Sequence, residues 1–299
     1  MDVQQTLKRQ ISCAGIGLHS GQKVTLTLKP APADSGIRFR RTDLGVEIPA
    51  SVDHVSAVQY ATILGRDGAT VETVEHRLAA LVASGIDNVV VELSQREVPI
   101  MDGSSAPFLF LLQEAGVKRQ SAARKYLKVL KPLQIASGDK RIAVYPSDHF
   151  KVSYTISFDH PLLRHQTRTE RITEQSFTEH IASARTFGFL KEVEWLRQQG
   201  LALGGSLENA IVIGDTGALN ALRFEDEFVR HKILDVVGDL ALVGYPVVGH
   251  VVAHRAGHAM HTELGRALLA DREAWCLVEA PALAPDAAIL GSPATVRAH

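Results

Sequence analysis

A histidine and two aspartates recur at spacings of four residues in the segment 231–241. On a helix with about 3.6 residues per turn, His231, Asp235 and Asp239 lie in one stripe, with neighbours about 6 Å apart along the axis. Apolar residues occupy most of the remaining helix surface, so we expect the stripe to face a partly buried site. A buried carboxylate needs a compensating partner. A divalent metal held by an imidazole and a carboxylate one turn apart would compensate it, and nitrogen and oxygen ligands suit zinc.

The same stripe also fits a surface helix whose acids are solvated or paired with Arg230 and Lys232. A catalytic metal needs a third protein ligand from elsewhere in the chain. The pair Glu75-His76, at the start of another predicted helix, supplies a candidate ligand and a candidate general base. At a first turn both side chains can lean into a cleft, His76 toward the metal and Glu75 toward its water. Three protein ligands would leave the open coordination position of a catalytic zinc.

Two further histidines, His258 and His261, lie at the start of a predicted helix that follows a strand. Either could act as a general acid, and Asp239 could fix its tautomer by accepting the other ring proton. Both could equally lie near a helix N-terminus without a catalytic role. Thr186 would place a hydroxyl at a turn, which by itself indicates little. The glycine-rich segment 15–21 precedes a strand instead of opening a helix, which excludes a dinucleotide site or a P-loop.

Alternating and helical apolar patterns predict the same element order in each half of the chain: strands first, then helix, strand and helix. In the first half, helices are expected at 73–84, with Thr73 as N-cap and Gly85 as C-terminal stop, and from 105 to 115. In the second half we expect strands near 126–135, 141–145, 151–158, 246–253 and 275–279, and helices near 177–184, 225–243 and 258–270. The repeated order predicts two α+β domains joined near 120–125.

Length and composition allow a sizeable core, because the 299 residues are 45% hydrophobic and 22% charged. The formal net charge of -1, without a basic run, gives no indication of nucleic acid binding. Cys13 and Cys276 have no CxxC partner, so no disulfide framework is expected. No apolar run reaches the roughly 18 residues that span a bilayer, and no signal core is visible. The expected compartment is therefore a reducing cytoplasm.

Nine segments, in unbroken order from about residue 6 to 279, resemble those of the UDP-3-O-acyl-N-acetylglucosamine deacetylase family. Collinearity of this kind is very hard to obtain by chance. The segments are GIGLHSG, FRRTDL, TVEH, GIDNVVVEL, VPIMDGSSAPF, SARTFGF, LALGGSLENAIV, RFEDEFVRHKILDVVGDL and AGHA. The resemblance implies a zinc-dependent hydrolase that removes the N-acetyl group from UDP-3-O-acyl-N-acetylglucosamine, the committed step of lipid A synthesis in Gram-negative bacteria.

The resemblance also implies roles for individual residues. His76, His231 and Asp235 are implied as ligands of one catalytic zinc ion, with Fe2+ as a competing metal. Glu75 is implied as the general base and His258 as the general acid. Thr186 is implied to stabilise the oxyanion with its hydroxyl. Asp239 is implied to orient His258, and Lys232 to lie beside the substrate. The expected substrate contacts, some of them along a passage for the acyl chain, are His19, Phe187, Leu196, Leu201, Gly205 and Ile211.

The implied fold is α+β, with two domains of similar topology that each pack two main helices against a β-sheet. The helices are sandwiched between the sheets, and the active site lies at the domain interface. We expect an N-terminal domain over 1–122 with an insertion near 40–64, and a C-terminal domain over 123–280 with the acyl passage near 192–213. A mobile tail is expected at 281–299. The expected protein is a monomer that binds a UDP-linked acylated amino sugar, without nucleic acid or stable membrane insertion, and contacts the inner membrane transiently.

Two other functions are compatible with the same residues. A zinc peptidase or another amidohydrolase could use this catalytic set on a different amide. A binding module in which zinc ties two domains together would need four protein ligands, whereas the sequence offers three and a base. The chain departs from the family pattern at 59–61, Ala241, Arg255 and His261, which bears on pocket shape and not on the implied ligands.

Overall fold

The computed structural model describes residues 2–279 as a mixed α+β fold. The N-terminal half consists, in chain order, of β1 (Val3–Leu7), β2 (Ile11–Ile16), β3 (Lys23–Pro30), β4 (Ile37–Arg41), β5 (Val46–Pro49), β6 (Val55–Ala57), β7 (Ile63–Arg66), β8 (Ala69–Val71), α1 (Glu75–Ala83), β9 (Val89–Leu93), α2 (Ala106–Ala115) and β10 (Val117–Ala123). The C-terminal half consists of β11 (Lys125–Val129), β12 (Leu133–Ser137), β13 (Lys140–Tyr145), β14 (Lys151–Ile156), β15 (Gln166–Arg171), α3 (Glu174–Ser176), β16 (Phe187–Phe189), α4 (Leu190–Gln198), β17 (Ile211–Ile213), α5 (Glu227–Leu240), β18 (Val247–Val248), β19 (His250–His254), α6 (His258–Ala270) and β20 (Trp275–Glu279).

Each half contains a five-stranded sheet, and the two sheets share one topology. Their strand orders are β2-β3-β9-β4-β5 and β12-β13-β19-β14-β15. In each sheet the last strand to join, β9 or β19, is antiparallel to one neighbour and parallel to the other. The parallel pairing requires a crossover connection, which contains α1 in the first half and α5 in the second. The repeated order predicted from the sequence is therefore confirmed as a repeated topology.

The main helices form a layer between the two sheets. Helix α2 contacts β2, whereas α5 and α6 contact β14 and β12, and α1 packs directly against α5. The closest approach is at Gly238 of α5, where a Cβ atom would lie 2.1 Å from the carbonyl oxygen of Glu75. No side chain fits at that separation, so glycine permits the contact. This contact holds the first turn of α1 against α5.

Several element boundaries differ from the sequence-based predictions. Thr73 is not the N-cap of α1, because the cap position is Val74 and the Thr73 hydroxyl donates instead to Glu97 at 3.1 Å. The stretch 126–135 is two strands in different sheets, β11 and β12, since Pro132 between them cannot donate to a ladder. The glycine stop after α1 is confirmed, as Gly85 has a φ of 68°.

Three further elements are shorter or divided. The expected strand 246–253 is β18 and β19, which pair in separate sheets on either side of Gly249. A Cβ atom at Gly249 would lie 2.8 Å from the side chain of Val129, so the chain passes very close to β11 there. The expected helix 177–184 is a π-helical turn at Phe177–Ile181, and α5 ends in a 3-10 turn at Ala241–Val243.

The added segments also begin at other residues than expected. Residues 40–49 of the expected first insertion belong to the main sheet, because β4 and β5 form the same hairpin that β14 and β15 form in the second half. A separate three-stranded sheet, β6-β7-β8, follows it. In the second half, β16 and β17 pair in parallel and α4 connects them. The division at 122/123 remains a prediction, and the tail 281–299 lies outside the described residues.

The lengths of the helices and the state of the two cysteines bear on two further predictions from the sequence. In the part of the chain that the structure describes, no helix is long and apolar enough to cross a membrane. Cys13 and Cys276 are both free thiols, in agreement with the lack of a paired spacing in the sequence.

The side chain of Arg77 on α1 is fully buried beside Phe108, with 5.3 Å from the guanidinium carbon to the ring centroid. Among residues 2–279, none accepts a hydrogen bond from its three guanidinium nitrogens. Burial lowers the pKa of Arg77 to about 9, because the charged form is disfavoured away from water. Burial of the positively charged Arg77 side chain therefore costs free energy.

We expect Arg77→Met to raise the free energy of unfolding by about 1–3 kcal/mol, because methionine keeps most of the packing and removes the buried charge. Urea unfolding of the two proteins measures the change. The control is Arg66→Met at an exposed position, expected to change stability by less than about 0.5 kcal/mol. A less stable Arg77→Met variant would show that the guanidinium is a net contributor to the fold.

Candidate active site

Helices α1 and α5 bring the three predicted metal ligands together. His76 lies on the first turn of α1, His231 and Asp235 lie one turn apart on α5, and all three are buried. Asp235 Oδ1 is 3.3 Å from His231 Nε2 and 3.8 Å from His76 Nε2. Tetrahedral ligands at about 2.0–2.1 Å from a zinc ion are about 3.3–3.4 Å from one another. The cluster therefore has close to the spacing of metal ligands.

Hydrogen bonding in this cluster leaves the ligand atoms free to bind a cation. Asp235 Oδ2 accepts a hydrogen bond from Lys232 Nζ at 2.6 Å, whereas the buried Oδ1 has no hydrogen-bond partner within residues 2–279. The Nδ1–H of His231 donates to the carbonyl oxygen of Ala184 at 3.0 Å. This bond fixes the tautomer, so Nε2 carries the lone pair that a metal needs. A cation would compensate the unpaired carboxylate oxygen, and the residues fit a metal ion.

The charge states of the three ligands agree with this interpretation. Burial and the neighbouring His231 lower the pKa of His76 to about 3, and burial also lowers the pKa of His231. Both rings are therefore neutral near neutral pH, which is the form that binds metal. Burial acts to raise the pKa of Asp235, but the charge of Lys232 and the three neighbouring histidines together outweigh it, and the net pKa is lowered. Two imidazoles and one carboxylate form a donor set that suits zinc or iron.

Asp239, one turn beyond Asp235, is the acceptor of a second buried cluster. Its Oδ2 is 2.7 Å from Nδ1 of both His258 and His261, and its Oδ1 accepts the hydroxyl of Thr62 at 2.6 Å. These are hydrogen-bond distances, and they are shorter than the about 3.3 Å that separates ligands on one zinc ion. Hydrogen bonds therefore account for this cluster, and Asp239 orients the two histidines.

Glu75 and His258 face each other next to the ligands, with 3.9 Å between Glu75 Oε1 and His258 Nε2. Burial raises the pKa of Glu75, and the nearby His258 opposes this rise. Burial alone would lower the pKa of His258, but the charge and hydrogen bond of Asp239 outweigh it and raise that pKa to about 9. A carboxylate with raised basicity beside a protonated imidazole is a suitable pair for general base and general acid.

Two of the predicted catalytic and substrate residues, Phe187 and Lys232, lie beside His231, and Thr186 directly precedes Phe187 in the chain. The N–H of Ile211 donates to the carbonyl oxygen of Thr186 at 2.8 Å, which places Thr186 at the edge of the insertion. The ring of Phe187 is edge-on to His231, with centroids 6.3 Å apart, and Lys232 Nζ is 5.5 Å from the Phe187 centroid. The ring contacts place Phe187 and Lys232 near the predicted ligands, while the catalytic roles of Thr186 and Lys232 remain predictions.

The glycine-rich segment 15–21, which contains the predicted substrate contact His19, contacts the insertion. The N–H of Leu203 donates to the carbonyl oxygen of His19 at 3.2 Å, and that of Gly204 to Leu18 at 3.0 Å. A Cβ atom at Gly204 would lie 2.1 Å from the carbonyl oxygen of Gly17, so this contact requires glycine. His19 and Ile211 are buried, and the half-buried residues of the insertion include Leu196, Leu201 and Gly205. Their roles in substrate binding remain predictions.

Two residues of the site were missed by sequence reasoning. Thr62 contacts both predicted catalytic carboxylates, because its hydroxyl donates to Asp239 and its N–H donates to Glu75 Oε2 at 3.1 Å. Glu97 is buried and accepts the N–H groups of His19 and Ser20, both at 2.8 Å. Neither residue belongs to a periodic pattern or a metal-ligand spacing, so the sequence carries no local signal for these contacts.

The fold and this site define a metal-dependent hydrolase assembled from two α+β repeats. The matching family model is described as UDP-3-O-acyl N-acetylglycosamine deacetylase and covers residues 4–270. The chain belongs to this family. The resemblance indicated by the sequence motifs is thereby confirmed over nearly the whole chain.

Three relatives carry the name UDP-3-O-acyl-N-acetylglucosamine deacetylase. The protein from Pseudomonas entomophila (strain L48) is 50% identical over 281 residues, which is 92% of this chain and 93% of the relative. That from Syntrophotalea carbinolica is 49% identical over 93% of this chain and 92% of the relative. That from Anaeromyxobacter dehalogenans (strain 2CP-C) is 51% identical over 94% of both. The similarity therefore extends over more than nine-tenths of each protein and is not limited to the motifs.

We expect His231→Ala to weaken zinc binding by more than about 100-fold, because loss of an outer-shell partner alone costs about 10–100-fold. Elemental analysis after equilibration with limiting zinc measures the zinc-to-protein ratio. The control is His180→Ala, which removes a half-exposed histidine bonded to Glu170. An unchanged ratio in His231→Ala would reject His231 as a ligand.

Proposed function

We propose that the protein hydrolyses the N-acetyl group of UDP-3-O-acyl-N-acetylglucosamine to UDP-3-O-acyl-glucosamine and acetate, the committed step of lipid A biosynthesis. The observation that carries this proposal is the buried Glu75–His258 pair beside the cluster of His76, His231 and Asp235, in a chain of this family. The amide C–N bond breaks, and a C–O bond to the oxygen of water forms. The reaction consumes one water and needs no redox cofactor.

The three ligands would hold one zinc ion, which when bound polarises the amide carbonyl and acidifies a water molecule. Glu75 takes the proton of the attacking water on Oε1, the oxygen that is not bonded to the N–H of Thr62. The hydroxyl of Thr186 donates to the carbonyl oxygen as negative charge develops there, a contribution of about 3 kcal/mol for one such donor.

His258 supplies the proton that the departing amine requires. Its Nδ1–H is bonded to Asp239, so the proton on Nε2 is the one that faces Glu75 and the reacting amide. An amine leaves far more readily when it is protonated as the C–N bond breaks. Asp239 holds the ring in place and favours its charged form, so the acid is loaded before the substrate is cleaved.

The substrate's two ends would contact different parts of the chain. The half-buried Leu196 and Leu201 and the buried Ile211 of β17 suit the acyl chain, while His19, Phe187, Gly205 and Lys232 suit the polar sugar and diphosphate. Exposed apolar side chains of the insertion, including Trp195 and Leu203, support transient contact with the inner membrane. We assign the domains as 1–122 and 123–280, which places the boundary at the last residue of β10, the strand that pairs with β1. We also propose a cytoplasmic monomer.

We expect Glu75→Gln to retain zinc and to lose about 10²–10⁴-fold in turnover, because the base is removed while the ligands stay. Acetate release from UDP-3-O-acyl-N-acetylglucosamine measures the rate, and an N-acetylated peptide assayed in parallel should not react. Glu114→Gln, at an exposed glutamate, is the matched control. Near-normal turnover by Glu75→Gln would exclude Glu75 as the base, and preferential cleavage of the peptide would reject the proposed substrate.

We expect Asp239→Asn to move the basic limb of the pH–rate profile to lower pH. His258 acts as an acid only while protonated, so activity falls as the pH rises through its pKa of about 9. Without the Asp239 charge that pKa falls, and the loss of activity begins at lower pH. The measurement is kcat/KM of the zinc-loaded enzyme between neutral and alkaline pH. An unshifted basic limb would exclude the pair as the proton donor system.

A further inference from the structure

His261 is a second buried histidine that bonds to Asp239 and has no part in the mechanism above. It lies one turn after His258 on α6, is fully buried, and its Nδ1 is 2.7 Å from Asp239 Oδ2. His258 Nδ1 is bonded to the same oxygen at the same distance. A carboxylate oxygen only accepts, so both histidines carry a proton on Nδ1. The two rings therefore share one acceptor.

The two histidines differ in their surroundings on the other ring nitrogen. Nε2 of His261 is buried and has no hydrogen-bond partner in the part of the chain that the structure describes, whereas Nε2 of His258 faces Glu75. A second proton on His261 would be a buried, unpaired charge. Burial lowers the pKa of His261 in spite of its bond to Asp239. His261 is therefore a neutral donor, and His258 is the charged one.

A neutral hydrogen-bond donor on Oδ2 of Asp239 weakens the attraction of this carboxylate for the protonated ring of His258. The carboxylate distributes its charge over three hydrogen bonds, from His258, His261 and the hydroxyl of Thr62. Each added donor lowers the basicity of the acceptor. The other titratable groups that face His258 and its partner from neighbouring elements are Glu75 and His76 of α1, His231 and Asp235 of α5 and Tyr154 of β14.

We propose that His261 is a positioning residue that limits the proton affinity of His258, by occupying Asp239 Oδ2 as a neutral hydrogen-bond donor. This inference rests on the proposed function, in which His258 must give up its proton to the leaving amine. If Asp239 stabilised the charged ring too strongly, His258 would be protonated but slow to transfer its proton. The shared oxygen keeps the acid charged at neutral pH and still able to react.

The test compares two substitutions in the zinc-loaded protein. His261→Leu removes the donor, whereas His261→Asn keeps a neutral N–H donor, because the asparagine amide nitrogen occupies the position of imidazole Nδ1. The midpoint of His258 protonation is read by nuclear magnetic resonance, with the signal assigned by its loss in His258→Gln. We expect His261→Leu to raise the midpoint by about one unit, with the basic limb of kcat/KM moving with it and a several-fold lower kcat. In His261→Asn, the midpoint, the basic limb and kcat should all stay close to those of the unsubstituted protein.

His250→Asn is the control, since His250 on β19 bonds to Ser153 and not to Asp239. A His258 midpoint that stays in place in His261→Leu, or moves equally in His261→Asn, overturns the proposal. In the unsubstituted protein the nitrogen-15 shifts of His261 should report a neutral ring protonated on Nδ1, and a charged ring or an Nε2–H tautomer also overturns it. The nuclear magnetic resonance measurements do not require turnover, so they test the proposal even if the activity assay rejects the proposed substrate.

Discussion

The close contact between α1 and α5 is the constraint on which the site depends. At Gly238 the helices approach so closely that a Cβ atom would lie 2.1 Å from the carbonyl oxygen of Glu75. His76 follows Glu75 directly, and Asp235 lies one turn before Asp239 on the facing helix. One helix contact therefore aligns the predicted ligand and base of the first half with the two predicted ligands and the orienting acid of the second. A larger residue at 238 would separate the two sets.

Two aspartates one turn apart on α5 acquire different chemistry from the ring atoms that face them. Asp235 Oδ1 faces Nε2 of two histidines, and the Nε2 of His231 is unprotonated because its Nδ1–H is bonded to Ala184. Asp239 instead faces two Nδ1–H groups that donate to it. The atoms that face Asp235 Oδ1 carry no protons to donate, so that arrangement suits a cation. The hydrogen bonds to Asp239 are satisfied without a cation. Tautomer and ring orientation thus divide a uniform sequence pattern into a candidate metal site and a proposed proton donor.

The sequence predicted the parts of the structure that depend on local periodicity. Helix α6 has the predicted bounds, and the spacing of four on α5 brought His231 and Asp235 together as expected. Strand predictions failed where an apolar pattern continued through a turn between sheets, as at Pro132. Thr62 could not be found in this way, because its two hydrogen bonds arise only when a distant segment folds over both helices.

The family resemblance and the residue chemistry contributed different parts of the account. The ordered motifs indicated the reaction class and supported His76, already a candidate from its residue type, as the predicted third ligand. The structure then supplied the hydrogen bonds that decide which histidine nitrogens are protonated. His261 shows the difference well, since the sequence left it as an alternative general acid and the structure makes it a donor to Asp239.

The most direct test of the central claim is a single-turnover assay on metal-free protein restored with measured amounts of zinc. The substrate is UDP-3-O-acyl-N-acetylglucosamine, and the amplitude of acetate release is followed against added metal. A single three-ligand site predicts an amplitude that rises linearly and ends at one zinc per chain. Full activity without metal, or an amplitude that keeps rising to two ions per chain, would contradict the account.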